Sequence, residues 1–111
     1  MTEREVTEFC FMFADGGTVS TNILRAGPGA FGSIIVPTGS NLIGKTVQFV
    51  AHSPSGLYAD TDMLSTPKTL AAGSNPLSAA EIAEVGAINH LKLKVNSAVS
   101  GAVQCVLLWK S

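Results

Sequence analysis

The segment Asp60-Thr61-Asp62 holds two carboxylates separated by a single residue and follows Tyr58 in a polar stretch. Acids that alternate along a loop can supply oxygen ligands to a hard cation such as Ca²⁺, which takes about six to eight of them. Neither the spacing nor the number of acids matches an EF-hand loop, so the pattern favours a solvated loop. We predict no metal ligands here.

No group of residues has the spacing of a nucleophilic active site. The GxSxG pattern of serine hydrolases is missing, and the histidines, His52 and His90, are isolated from each other beside strands. Gly27-x-Gly29-x-x-Gly32 matches the letters of a dinucleotide-binding loop, but Pro28 removes a backbone amide and a β-branched segment follows where a helix should begin. We therefore predict no catalytic residue, no cofactor and no enzyme.

The two cysteines, Cys10 and Cys105, lie near opposite ends of the chain. Free cysteine packs as a small hydrophobic residue, and cytoplasmic proteins keep their thiols reduced. We expect two buried free thiols, although a disulfide between the first and last strands is compatible with the sequence. No CxxC pair or Cys/His cluster supplies the four ligands of a zinc site.

Charged residues are scarce: seven Lys or Arg and eight Asp or Glu make up 14% of the chain and give a net charge of −1. An average soluble domain carries about 25% charged residues. The apolar share of 46% is ordinary, so Ser, Thr, Gly and Ala stand where solvated charges usually do. A positive mean hydropathy with so little net charge excludes intrinsic disorder.

Length and charge distribution predict the number of domains and exclude further classes of protein. The 111 residues predict a single domain spanning 1–111. No apolar run approaches the roughly 20 residues of a membrane helix, and the polar, acidic N-terminus predicts no signal peptide. Basic residues are scattered along the chain, so we expect neither a nucleic-acid partner nor a membrane partner.

An alternating apolar pattern dominates the chain and predicts short antiparallel strands. Asp15-Gly16-Gly17 ends the first strand, and residues 18–24 look like its hairpin partner. Leu57-Tyr58 is predicted as an edge strand, and residues 60–75 as a polar, broken stretch. The remaining predicted strands are residues 33–36, 45–51, 91–96 and 102–109. This pattern is typical of an all-β fold, an antiparallel β-sandwich or jelly roll.

The one helix signal lies near residues 78–86. Ser78 and Glu81 fit a capping box, in which each side chain binds the backbone amide of the other residue. Ile82 and Val85 supply an apolar stripe, and Gly86 is placed to end the helix. Two turns are too short to be stable alone, so we expect packing to hold this helix in place.

The first and last strands are apolar on both faces. In the first strand, the alternating phenylalanines share one face, and Cys10 and Met12 lie on the other. In the last strand, Val106 and Leu108 lie on the face opposite the inward residues. A strand with no polar face is covered either by another layer or by another molecule. We predict that Cys10, Met12, Val106 and Leu108 form an interface.

Three motifs follow one another in the central third of the chain. They are Phe31-Gly32-Ser33-Ile34-Ile35-Val36-Pro37, then Gly44-Lys45-Thr46-Val47-Gln48-Phe49-Val50-Ala51 and Ser53-Pro54-Ser55-Gly56. This pattern resembles that of small virion proteins of tailed bacteriophages. The strand Leu91-Lys92-Leu93-Lys94 and the closing apolar strand also fit, so the resemblance covers roughly residues 31–110. It implies a short β-sandwich without catalytic residues that serves as a capsid decoration (cement) protein, head fibre or tail accessory.

Our expectation is a non-enzymatic virion structural protein, made in the bacterial cytoplasm, that binds the major capsid protein or another virion protein. Because exposed apolar patches are rare on monomers, we also expect a homo-oligomer, a trimer or a dimer. The alternative is a glycan-binding or fibre-associated module of a phage head or tail, with Tyr58, Asp60 and Asp62 as its ligand loop. A small calcium-stabilised domain is a third hypothesis.

Overall fold

The computed structural model describes residues 6–25, 31–85 and 90–110 of the chain. Among these residues are eight strands and one helix. In chain order they are β1 (Val6–Phe13), β2 (Phe31–Val36), β3 (Thr46–Ala51), β4 (Thr61–Asp62), β5 (Lys68–Thr69), β6 (Gly73–Pro76), α1 (Ala79–Val85), β7 (Leu91–Val95) and β8 (Val103–Lys110).

The strands form two antiparallel sheets. The first sheet has the order β1-β8-β2-β6. In the second sheet, β3 pairs with β7 on one side and with the short strands β4 and β5 on the other. The predicted all-β sandwich with one short helix is therefore confirmed.

Residues 18–24, here called the bridging segment, cross from the first sheet to the second. Thr21 donates its amide to the carbonyl of Met12 on β1. Val19 and Leu24 form isolated bridges with Lys94 and Leu91 on β7. With the bridging segment counted beside β7, and with β4 and β5 counted together as one interrupted edge strand, the chain visits the two sheets in the order of an eight-stranded jelly roll.

The predicted hairpin between the first strand and residues 18–24 is wrong. β1 pairs with β8, from Val6 opposite Lys110 to Phe13 opposite Val103. The turn at Asp15-Gly16-Gly17 is present, but the chain leaving it crosses to the other sheet. Gly16 adopts a φ of 77°, which favours glycine, and such a turn is compatible with either path.

The core lies between the sheets and is built from the inward residues of every long strand. Phe11 and Phe49, from opposite sheets, meet edge to face with ring centroids 6.3 Å apart. Ile34, Leu93 and Leu107 are fully buried around them. Burying a large apolar side chain stabilises a fold by about 1.5–3 kcal/mol, so this layer is the main source of stability.

Helix α1 packs Val85 into the same core and Ile82 against it. Its capping box is confirmed: Glu81 donates its amide to Ser78 Oγ over 3.1 Å, and the Ser78 amide donates to Glu81 Oε1 over 2.8 Å. The predicted terminator Gly86 lies outside the described residues. Of the helical segments within the described part of the chain, none is long and apolar enough to cross a membrane.

Two further predictions about the middle of the chain are wrong. Leu57 and Tyr58 lie in a loop, and the strand at that edge is β4. The stretch predicted as broken contains β4, β5 and β6. These strands were missed because their pairing comes from backbone hydrogen bonds, whereas their side chains are mostly small, polar or exposed.

Candidate functional site

Residues from all four strands of the first sheet lie on its outward side. Strand pairing places Cys10 opposite Val106 and Met12 opposite Gln104, and it places Ile35 on the other side of Val106. We call this surface the neutral face. Its described side chains are Glu8, Cys10, Met12, Ser33, Ile35, Ser74, Pro76, Gln104, Val106 and Leu108.

The neutral face is apolar at its centre. Met12 is 46% exposed, and Cys10, Ile35, Val106 and Leu108 are partly exposed. Glu8 is the single charge among the side chains described on this face. The four residues predicted to form an interface, Cys10, Met12, Val106 and Leu108, therefore lie side by side on one surface. Sequence reasoning missed Ile35, which belongs to a short apolar run without alternation.

The outward side of the second sheet has the opposite character. Lys92 and Lys94 extend from β7. Each forms a salt bridge that crosses the outward side of β3 diagonally and reaches an aspartate at the opposite edge of the sheet. Lys94 Nζ lies 2.6 Å from Asp62 Oδ1, and Lys92 Nζ lies 3.5 Å from Asp60 Oδ2. Among the described side chains, the outward side of the second sheet therefore carries four charges, whereas the neutral face carries one, that of Glu8.

His52 belongs to the same charged group, so the prediction that it is isolated is wrong. Its Nδ1 donates to Asp60 Oδ1 over 3.0 Å, and its backbone amide donates to the carbonyl of His90, the neighbouring residue across the sheet. The hydrogen bond from His52 lowers the pKa of Asp60, and the positive charge of Lys92 adds to this against a desolvation cost. Asp60 is thus held as an anion.

The predicted ligand loop is only partly free to bind a ligand. Tyr58 is 49% exposed and donates its hydroxyl to the carbonyl of His52 over 3.3 Å. The carboxylates of Asp60 and Asp62 already face lysines. A sugar or cation at this loop would have to displace those ammonium groups. Within residues 6–25, 31–85 and 90–110, no three His, Cys, Asp or Glu side chains are grouped to hold a metal.

Cys10 and Cys105 are free thiols, as predicted, but only Cys105 is buried. They lie on adjacent paired strands with opposite orientations: Cys105 points into the core opposite Phe11, and Cys10 lies on the neutral face opposite Val106. Burial, together with the nearby Cys10, raises the pKa of Cys105 to about 12. The geometry keeps the two sulfurs on opposite sides of the sheet.

A shallow hollow of about 340 Å³ opens where β1 ends and β8 begins. It is lined by Met12, Phe13, Ala102, Val103 and Gln104. Met12 and Gln104 also belong to the neutral face, so the hollow lies at one end of that surface. The sequence did not indicate this hollow. It forms where the pairing of β1 with β8 stops, and these two strands come from opposite ends of the chain.

Comparison with known proteins adds no relative: no family model, no curated protein and no solved structure matches this chain.

Proposed function

We propose that this protein is a non-enzymatic structural protein of a phage virion, which decorates the capsid by laying the neutral face against the major capsid protein. One observation supports the proposal: five apolar side chains that are at least partly exposed lie together on the outward surface of one sheet. They are Cys10, Met12, Ile35, Val106 and Leu108. Jelly rolls occur in viral capsid proteins and in lectins, and the fold alone does not choose between functions.

The chemistry of the neutral face suits contact with another protein. Interface centres are depleted in charged residues, because burying a charge without a partner costs far more than burying a methyl group. Only the carboxylate of Glu8 would need a partner among the side chains described on this face. Serines and Gln104 at the margins can exchange water for hydrogen bonds with the partner.

The neutral face is small for a protein interface. With strands about 4.8 Å apart and about 3.3 Å of rise per residue, the four-strand surface covers roughly 300–400 Å². A standard interface buries about 800 Å² on each partner. The neutral face alone therefore gives a weak contact for each copy, and firm decoration needs additional contacts between neighbouring copies on the shell.

Capsids assembled in the absence of the protein provide the test. We expect the purified protein to co-sediment with them and to raise the temperature at which they rupture. Val106→Lys and Met12→Lys should each reduce bound protein at least about tenfold, corresponding to about 1.4 kcal/mol. Thr66→Lys, an exposed turn substitution away from the neutral face, should bind normally. Equal binding by all variants, or none by the wild type, would refute the proposal.

A further inference from the structure

β1 lies at one edge of the first sheet, and only part of its outer side is covered. The Asn22 side chain of the bridging segment accepts from the Met12 amide and donates to the Cys10 carbonyl. Alternate residues of a strand point their backbone groups to the same side, so those of Val6 and Glu8 face this edge as well. No described residue hydrogen-bonds them there. We call the backbone of Val6 and Glu8 on this side the open edge.

The other sheet edges carry features that discourage pairing with a further strand. At the opposite edge of the first sheet, β6 contains Pro76, which has no amide to donate. At one edge of the second sheet, β4 and β5 are each two residues long, and short edge strands blunt pairing. At the other edge, Val19 and Leu24 form bridges to β7. The open edge is therefore the described edge best suited to accept another strand.

We infer that two copies of this protein pair through their open edges, with the two β1 strands antiparallel and Val6 of each copy opposite Glu8 of the other. In this register each amide of one open edge meets a carbonyl of the other open edge, so the edge is complementary to itself. The two-fold axis passes between the two copies of Thr7. Thr7 is exposed, and directly opposed threonines are a favourable cross-strand pair. Such a contact uses the same surface twice and closes at a dimer.

Glu8 and Asn22 limit the register. Sliding the strands until Glu8 faces Glu8 of the second copy would bring like charges directly opposite each other. It would also require the Cys10 carbonyl, which already accepts from Asn22 Nδ2 over 2.6 Å. In the inferred register the two Glu8 residues are diagonal neighbours, about 7–8 Å apart, and Glu8 is exposed to water. The hydrogen bonds of Asn22 lie outside the paired residues and stay intact.

Pairing joins the two neutral faces edge to edge. Directly opposed residues point their side chains to the same face of a sheet, so two neutral faces form one surface of roughly 600–800 Å². A standard interface buries about 800 Å² on each partner. This gain in area matters only if the proposed function holds, whereas the pairing itself does not depend on it. A contact this short is weak, so the dimer forms at high protein concentration or on a shared surface.

Proline at position 8 tests the pairing in solution without any capsid. The Glu8 amide points away from β8, so Glu8→Pro removes a donor of the open edge and should leave the pairing of β1 with β8 intact. In sedimentation at roughly 1 mM the wild type should dimerise, and Glu8→Pro should associate at least about tenfold more weakly. Glu8→Ala loses the same side chain but keeps the amide. It should associate at least as tightly as the wild type, because the diagonal carboxylates are gone.

A cysteine at the two-fold axis gives a second test that keeps every backbone amide. Opposed residues without mutual hydrogen bonds have Cα atoms about 4.5 Å apart, within the range of about 4.4–6.8 Å that disulfides span. In a Cys10→Ser background, Thr7→Cys should therefore form a disulfide-linked dimer under mild oxidation. Thr66→Cys in the same background, at an exposed turn, should remain largely monomeric.

Two results would overturn the inference. One is a wild type that stays monomeric at roughly 1 mM. The other is equal association of Glu8→Pro and Glu8→Ala together with equal crosslinking at positions 7 and 66. If such a protein still binds capsids, the proposed function stands without the dimer. Dimers that show the expected pattern but do not bind capsids would support the pairing and refute the proposed function.

Discussion

The side-chain amide of Gln48 hydrogen-bonds both backbone groups of Leu64. Nε2 donates to the Leu64 carbonyl over 3.0 Å, and Oε1 accepts from the Leu64 amide over 2.6 Å. β4 and β5 both pair with β3, but their registers differ by three residues. In the pairing with β4, Val50 lies opposite Asp62. In the pairing with β5, Thr46 lies opposite Thr69. Gln48 completes the edge of the second sheet where the backbone ladder is interrupted.

Gln48→Met should destabilise the protein by about 2–4 kcal/mol. Methionine fills similar space but leaves a donor and an acceptor of Leu64 without partners at a buried position, and each costs about 1–3 kcal/mol. Urea unfolding measures the change. Gln104→Met, the same substitution on an exposed strand position, should stay within about 0.5 kcal/mol of wild type. Equal effects at both positions would contradict this account.

Glu81→Gln should lower stability at pH 7 by about 1 kcal/mol, since Glu81 binds both the Ser78 amide and Lys68 Nζ at 3.2 Å. Burial raises the pKa of Glu81, but the Ser78 amide and Lys68 outweigh it and leave the pKa below its usual 4.5. A lowered pKa in the folded state means that this stability is present above pH 4.5 and disappears as the pH falls through the folded value.

The wild-type advantage over Glu81→Gln in urea unfolding should therefore shrink from pH 7 to pH 3. Glu84→Gln is the matched control, because it removes one negative charge from the same helix without touching Lys68. A difference between wild type and Glu81→Gln that stays constant from pH 7 to pH 3 would show that the ion pair does not contribute.

Thiol labelling should distinguish the cysteines. Iodoacetamide should modify Cys10 in the folded protein and leave Cys105 intact, because Cys105 is 1% exposed and its pKa is raised to about 12. Mass spectrometry should find one label per native chain and two labels after unfolding in urea. Cys10→Ser should take up no label in the native state, and rapid labelling of that variant would show that Cys105 is accessible.

Asn22→Ala should uncover part of the outer edge of β1. The Asn22 side chain donates to the Cys10 carbonyl over 2.6 Å and accepts from the Met12 amide over 3.0 Å. Losing these bonds should cost about 1–2 kcal/mol and increase aggregation on heating, because exposed edge strands pair with other chains. Asn22→Asp keeps the acceptor and should fall between wild type and alanine in light scattering at the same temperature.

Local alternation was enough to predict the long strands and their faces. In residues 91–95 and 103–109 every second side chain is apolar, and those side chains form the core. The path of residues 18–24 was not predictable, because the same glycine turn can return a strand to its own sheet or send it across. β6 was missed because Asn75, its buried residue, is polar and is held by hydrogen bonds to Ala71 and Ile34.

The candidate site was predictable to a similar degree. The outward residues of β1 and β8 could be assigned from the sequence because a strand has a strict two-residue period. The diagonal ion pairs from Asp60 and Asp62 to the lysines of β7 could not, since each joins residues 32 positions apart and depends on the registers of two strand pairings, β3 with β4 and β3 with β7. Long-range register is a property of the whole fold.

The central place of β8 in the first sheet has a consequence for synthesis. β8 contributes Cys105 and Leu107 to the core and separates β1 from β2, yet it begins about 90 residues after β1 ends. While the ribosome makes the preceding residues, β1 and β2 have no partner between them. The first sheet therefore forms only after translation has passed Val103, and folding dominated by such distant pairings is slow.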